Sequence, residues 1–508
     1  MKVEQLELGP TDKSSKLDQF SREELIHQNQ FLESELARTI KEVYRLKYQH
    51  LTDEQLNLVL REHLNELNHE VFGASSERHK KPIKPKKQEP PAPRVKRPSE
   101  RYPNVVIREI PIKFDQNPGC EVCGNVMSDS GMTEDSEQLT VTPKKFEILK
   151  YMRSIYRCSC QSCMKTAPNP PRIIEGSSYS DEMILDVALS KYCDLIPVER
   201  YVQMAARSGL MDLPPNSLID LTHKFAEFLK PVYDQIKSGI LKSRVLNADE
   251  TPHKMLEGSE KKSWYLWGFS TPSLCYLEAH DTRSGDVASE ILLNSSCEVL
   301  VSDVYSGYHK AIRLSNIERK LAGKNLIKNA NCSAHARRNF FKIRVQYPEA
   351  IFYLDQYHEI YQLNSESKRK PPNEVQGYRE KMKSYFESMK VRAEKELPSY
   401  FKGNKYHQAL NYFLDNYDGL TLCLGDPEVP IDNNAQERLL RSHVVGRKTW
   451  YGTHSEQGAQ TAAIMFSLVE TCKLNGVNPR EYFKDLVQDL LKGKNPYTPS
   501  EYKGFAKN

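Results

Sequence analysis

Three carboxylates carry the chemistry this sequence offers most directly. Asp249 closes the apolar run Val245-Leu246-Asn247-Ala248, and Asp303 closes Val299-Leu300-Val301-Ser302, 54 residues later. Glu437 follows 134 residues beyond Asp303, within Asp432-Asn433-Asn434-Ala435-Gln436-Glu437-Arg438. Carboxylates at the ends of neighbouring strands, joined by one from a helix, make an oxygen-lined pocket of the kind hard divalent magnesium prefers. Two such ions about 3.5–4 Å apart can activate an attacking oxygen and stabilise a leaving one in phosphodiester exchange. Spacing alone does not select three residues from 67 acids. Each also has a plainer account: strand ends for the aspartates, and a capping box with Asn434 for Glu437. The residues after Glu437 favour the chemical account. Arg438, Arg441, Arg447 and Lys448 come with no acid between 438 and 455, and Trp450 and Tyr451 are interleaved. Cations and rings together suit a strand whose phosphates and bases both need holding, the alternative being a solvated basic face.

Thiols form a second set. Cys120-Glu-Val-Cys123 is followed, after 36 residues, by Cys160-Gln-Ser-Cys163. Two such knuckles can supply four thiolates to one tetrahedral, structural zinc, with Cys158 as an alternative fourth ligand to Cys160. Eleven cysteines in 508 residues are too few for a disulfide scaffold and fit a reducing compartment.

The net charge of +5 is concentrated in one place. Between His79 and Arg101 stand Lys80, Lys81, Lys84, Lys86, Lys87, Arg94, Lys96, Arg97 and Arg101 against Glu89 and Glu100, a local charge of +7 that leaves −2 for the rest. Six prolines share the stretch. It reads as an extended, solvated linker able to neutralise phosphates. The first residues lack the apolar run of a signal peptide, and no window approaches a membrane span, so neither secretion nor membrane residence is expected.

The elements that must position these groups can be read in outline. Leu25, Asn29, Leu32, Leu36, Thr39, Val43 and Leu46 keep a heptad spacing, a short coiled coil or an amphipathic helix. Leu56, Leu60, Leu64, Leu67 and Val71 mark a second helix that stops near Gly73. After the linker and the knuckles, helices are expected from Ile196 to Ser208 and from Ser217 onward, with Asn216 or Ser217 as N-cap. This pair is either a DNA-reading helix-turn-helix or simply packed helices. Apolar or alternating runs at 245–248, 264–269, 274–279 and 298–302, with a helix ending near Leu293, read as three strands, a helix and a fourth strand, the opening of a ribonuclease-H-like sheet. Residues 333 to about 420 read as helical with a break at 368–372, and 459–492 as two or three closing helices.

Five motifs follow one another in a recognisable order: Val245-Leu246-Asn247-Ala248-Asp249-Glu250-Thr251-Pro252; Ser302-Asp303-Val304-Tyr305-Ser306-Gly307-Tyr308; Cys332-Ser333-Ala334-His335-Ala336-Arg337-Arg338-Asn339-Phe340; the Glu437 motif; and Gly446-Arg447-Lys448-Thr449-Trp450. Together they resemble the bacterial insertion-sequence-66 family of DDE transposases. Val71 to Arg78, the cysteine knuckles and Thr471 to Tyr482 extend the likeness over nearly the whole chain. The resemblance implies a DNA transposase that cleaves at element ends and joins the freed 3′-hydroxyls to target DNA. Asp249, Asp303 and Glu437 would be its catalytic triad, with two Mg2+ (or Mn2+) ions on a ribonuclease-H-like core, and a structural Zn2+ would sit on Cys120, Cys123, Cys160 and Cys163. It also implies terminal inverted repeats and target DNA as partners, a homo-oligomer (dimer or higher) on DNA, small companion proteins of the same element, and a bacterial cytoplasm and nucleoid location. Cys332-x2-His335 matches a motif of several DDE families and is read as structural. Thr449 and Ser306 depart mildly from the family pattern.

The expected fold class is multidomain α+β: N-terminal helices or coiled coil (1–78), basic linker (79–103), zinc-ribbon-like domain (104–175), helical domain (176–242), catalytic core (243–458) with a helical insertion at about 340–425, and C-terminal helices (459–508). Two binding or inactive alternatives stand beside the enzyme: a zinc-ribbon DNA-binding regulator and a transposase-derived protein without catalysis. A tyrosine recombinase using Tyr451 fits poorly, because three residues separate His443 from Arg447 where that chemistry usually has two.

Overall fold

The computed structural model describes residues 97–504 apart from 104, 115, 130, 134, 135, 142, 143, 158, 160–162 and 257–262. The N-terminal helices, Cys158, Cys160 and the arm cations Lys80, Lys81, Lys84, Lys86, Lys87, Arg94 and Lys96 lie outside the described residues. The described chain forms two compact units. One comprises the described residues up to Met152 together with Met204–Asp212, and the other comprises Arg153–Gln203 and everything from Leu213. The smaller unit holds a one-turn helix, α1 (Pro98–Arg101), and the Cys120 knuckle.

The larger unit is built on a five-stranded mixed sheet. Its strands are β3 (Val245–Lys254), β4 (Ser263–Ser270), β5 (Cys275–His280), β6 (Val299–Ser302) and β7 (Lys328–Asn331), after a separate short hairpin of β1 (Ile155–Arg157) and β2 (Met164–Thr166). The order across the sheet is β5-β4-β3-β6-β7. The first three strands form an antiparallel meander, and β6 and β7 add in parallel on the far side of β3. Helix α6 (Gly285–Leu293) carries the chain from the β5 edge across to β6, and α7 (Ser306–Leu321) connects β6 to β7, the crossover that parallel neighbours require. Three strands, a helix and a fourth strand thus follow the expected chain order, and β7 is an addition to it.

Both sheet edges are covered. At β5, helix α14 (Glu456–Leu474) supplies hydroxyls in place of a neighbouring strand. Leu277 N–H donates to Ser467 Oγ (2.8 Å) and Cys275 N–H to Thr471 Oγ1 (3.0 Å). That satisfies groups an open edge would leave unpaired. At the β7 side lies the insertion: α8 (Ser333–Ile343), α9 (Ala350–Ser367), α10 (Pro372–Glu396), α11 (Lys405–Asp415) and α12 (Tyr417–Gly425). Phe340, Tyr353, Tyr357, Phe386 and Phe413 form one apolar cluster with Val299, Val301 and Ala330 of β6 and β7. Large buried rings of this kind dominate core energetics, so the insertion and the sheet share one core.

Helices α2 (Asp181–Tyr192), α3 (Val198–Arg207), α4 (Pro215–Phe228) and α5 (Lys230–Leu241) precede the sheet. Helix α4 starts earlier than expected. Pro214 stands at its N-cap without a side-chain bond, and proline follows within the first turn, where a missing N–H costs nothing. Its buried Leu218, Leu221 and Phe225 pack it on α2 and α14. The chain closes with α14 and α15 (Pro479–Leu491), separated at Gly476 with φ +64°. Among the described residues no helix is long and apolar enough to cross a membrane.

Candidate active site

The parallel register places the two aspartates together. Val245 lies opposite Val299 and Asn247 opposite Val301. Two residues further along each chain stand Asp249 and Asp303. Asp249 does not end its strand, however. β3 continues to Lys254 through antiparallel pairing with β4, with Asp249 opposite Gly268. The polar residues after Ala248 hide this continuation from a reading by apolar runs. Asp303 does follow the last residue of β6, and its Oδ1 accepts the Tyr305 N–H at 3.1 Å.

The third acid arrives on α13 (Asn434–Trp450), which is tied to β3 at both ends. At its start, buried Asn433 donates from Nδ2 to Ala248 O (2.8 Å) and accepts from Asn247 Nδ2 (2.9 Å). Its N–H also donates to Cys332 Sγ at 3.2 Å. At its end, Thr453 N–H donates to Lys254 O (3.1 Å) and Leu256 N–H to Thr453 O (2.8 Å). Midway, His253 Nδ1 and His443 Nε2 share a 2.8 Å hydrogen bond, and His253 Nε2 bonds Thr453 Oγ1 at 2.8 Å. Burial pushes His253 down to about 4 and His443 well below its ordinary range, with Arg447 adding to both, so the pair is neutral at pH 7. The helix can lie this close because β4 carries Gly268, where a Cβ would stand 2.2 Å from Gln436 Nε2.

Glu437 therefore sits in the first turn of a helix clamped to the strand that bears Asp249. The capping box with Asn434, the alternative account of Glu437, is absent. Asn433 occupies the N-cap, and Asn434 bonds Asp432 instead, through Nδ2 at 2.8 Å and N–H at 3.1 Å. Glu437 Oε1 is buried without a hydrogen-bond partner, 3.8 Å from His335 Nε2.

The electrostatics report the convergence of the three acids. Burial, then the charges of Glu250, Asp303 and Glu437, raise the Asp249 carboxyl to about 8. Glu250 belongs to the surround. Its carboxylate accepts from Arg283 Nε (2.8 Å) and Nη2 (2.6 Å) and from Tyr308 O–H (2.6 Å), and its side chain is 2% exposed. Arg283 also lies over the Tyr305 ring at 4.1 Å. The oxygen-only donor set, the mutual repulsion around Asp249 and the unpartnered Glu437 oxygen all fit a bound hard divalent cation.

The remaining expectations divide. Arg438, Arg441 and Lys448 are exposed along α13, while Arg447 is half-buried. Trp450 is partly buried at the end of α13. Its ring meets Tyr192 edge-on at 6.4 Å, with Lys191 Nζ 5.6 Å above it. Cys120 and Cys123 occupy one tight turn in which Gly124 N–H donates to Cys120 O (2.9 Å) and Gly124 has φ +76°. Backbone N–H groups of Cys123 and Val122 lower the Cys120 thiol below its ordinary value. Cys163 directly precedes β2. Sequence reading passed over Asn247, Asn433, Glu250, Arg283 and Tyr308 as working residues. Asn247, Asn433, Glu250 and Tyr308 lay inside the quoted motifs, whereas Arg283 carried no signal of its own.

Residues 176–461 match the Transposase IS66 family and residues 467–500 the IS66 C-terminal element. Three uncharacterized proteins of Sinorhizobium fredii are similar along most of their length. The protein y4hP is 24% identical over 418 residues (77% of this chain, 74% of that protein). The protein y4jD is 26% identical over 394 residues (74% and 76%). The protein y4qI is 25% identical over 461 residues (87% and 82%). With more than half of its residues inside the first match, the chain belongs to the IS66 transposase family.

Proposed function

We propose that this chain is a DDE-type DNA transposase that cleaves DNA strands at the ends of its element and transfers them into target DNA. What supports the reading is that Asp249 and Asp303 follow the paired ends of parallel strands while Glu437 stands on the helix tied to β3, with Asp249 raised first by burial and then by the charges of Glu250, Asp303 and Glu437. The strand order supports it, since an antiparallel meander joined by two parallel strands beyond its first member is the ribonuclease-H-like arrangement. Held by these acids, two magnesium or manganese ions would supply an activated attacking oxygen and charge neutralisation on the leaving one. The chain's own residues do the positioning. Asn433, the histidine pair and Thr453 fix α13, and with it Glu437, on β3. Arg438, Arg441 and Lys448 lie on the same helix, where they can hold phosphates of the scissile strand. Element ends, target DNA, a homo-oligomer on DNA and companion proteins complete the proposed setting. The experiment is incubation of purified protein with magnesium and labelled DNA carrying the element's ends. Nicked strands with free 3′-hydroxyls and joined products are expected, and binding without either product would favour the regulator.

Affinity should come mainly from the basic arm, because phosphate contacts are independent of sequence. Neutralising five of its nine cations is expected to weaken binding to end DNA and random DNA about equally. The salt slope should fall by up to about four or five units. Salt titrations of both DNAs check this, and an unchanged slope would remove the arm from the interface.

A further inference from the structure

Cys332 and His335 have no part in the proposed strand cleavage, yet they reach its third acid. Cys332 caps α8 at its N-terminus and His335 lies in the first turn of the same helix. Glu437 lies in the first turn of α13. One ligand atom from each of Cys332, His335 and Glu437 falls within 4.8 Å of the others. We propose that these three side chains form a second cation site, suited to Zn2+ rather than to magnesium, and that filling it draws Glu437 away from Asp249 and Asp303.

Four observations support the site. Tetrahedral zinc with sulfur at about 2.3 Å and nitrogen or oxygen at about 2.0–2.2 Å sets ligand separations of roughly 3.3–3.8 Å. The His335 Nε2 to Glu437 Oε1 distance is already 3.8 Å. That is too long for a hydrogen bond but matches two ligands on one tetrahedral ion. Glu437 Oε1 is buried without a partner, a cost a bound ion would remove. The sulfur is prepared for charge. Asn433 N–H donates to it at 3.2 Å, and the N–H groups of His335 and Ala334 also favour its ionised form. Burial nonetheless lifts the thiol to about 11, so the free site is protonated and zinc binding should release that proton to solvent. Mixed sulfur, nitrogen and oxygen donors select zinc over magnesium, which favours oxygen alone. Three protein ligands leave the fourth position for water.

The inhibitory consequence rests on the catalytic reading of Glu437, whereas the site itself does not. The test uses the full chain and counts zinc by competition with a chromophoric chelator. Cys332→Ser and His335→Gln should each bind one equivalent fewer than the wild-type protein, whatever the zinc knuckles hold. In Co2+-substituted protein, the thiolate-to-cobalt absorbance should fall in Cys332→Ser. Equal zinc counts and affinities in all three proteins would overturn the site. If Cys332→Ser does not fold, the half-exposed His335→Gln carries the count. In the cleavage assay at fixed magnesium, rising free zinc should inhibit the wild type, and Cys332→Ser should need about tenfold more zinc or above. Zinc counts that differ while zinc leaves cleavage untouched would overturn the withdrawal of Glu437. Absence of cleavage under every condition would count against the transposase reading, with the zinc counts still deciding the site.

Discussion

Asp249→Asn is expected to make the metal-free protein more stable at neutral pH and to abolish its cleavage of DNA. The folded carboxyl is raised from 3.8 to about 8, first by burial and then by Glu250, Asp303 and Glu437. Between these values the unfolded chain carries the charge and the folded chain keeps the proton. Unfolding therefore releases a proton, and this carboxyl's contribution to stability falls as pH rises from about 4 to about 8, while the neutral His253–His443 pair acts in the opposite sense below about 6.5. The loss amounts to roughly 3–5 kcal/mol across that window. Asparagine carries no charge and can still accept the Glu250 N–H, which donates to Asp249 Oδ1 at 2.9 Å. Urea unfolding in chelator should show the variant's advantage over the wild type widening as pH rises from about 4 to about 8, and magnesium should shrink that advantage. Cleavage should fall by about 1,000-fold or more, corresponding to several kcal/mol of lost transition-state stabilisation. A stability difference between variant and wild type that does not widen from about pH 5 to about pH 8 in chelator would contradict the crowding of acids around Asp249.

Asn433→Ala is expected to have the largest effect of any change outside the three acids. Its side chain bridges Asn247 and the Ala248 carbonyl, and alanine would leave both buried groups without that partner. At about 1–3 kcal/mol for each unsatisfied group, the fold should lose roughly 2–5 kcal/mol, read as a lower urea midpoint. Cleavage should fall further than stability alone explains, because α13 would lose its fixed start on the Asp249 strand. Asn434→Ala, which removes only the bond to Asp432, should cost much less. Combining Asn247→Ala with Asn433→Ala should cost clearly less than the sum of the two, since each removes the same 2.9 Å bond. Additive losses would show that the bridge is not what holds the helix.

How much could be read beforehand depended on whether a residue's role was local. Strands with apolar runs, β4 and β6 among them, were legible because alternation and burial leave a mark in composition. β7, whose sequence is Lys-Asn-Ala-Asn, has no such mark. It is a strand because it pairs with β6 and packs beneath α12, contacts supplied by distant residues. The second half of β3 was missed for a related reason: Asp249 to Lys254 are polar or constrained residues, and pairing with β4 overrides their weak local preference. The acids could be proposed from their motifs, but the Asn433 bridge could not, because its partners stand 185 and 186 positions away. The capping box failed because Asp432, one residue before the N-cap, takes the Asn434 bonds. The edge-on contact of Trp450 with Tyr192, on a helix early in the chain, was likewise beyond local reading.

The most direct measurement is strand cleavage of end DNA by Asp249→Ala, Asp303→Ala and Glu437→Ala proteins, each assayed with magnesium beside its affinity for the same DNA. All three variants should bind at least as tightly as the wild type, since each loses a negative charge near phosphates, and none should release a free 3′-hydroxyl. Wild-type cleavage by any of the three, and by Glu437→Ala above all, would contradict a catalytic centre made from these acids.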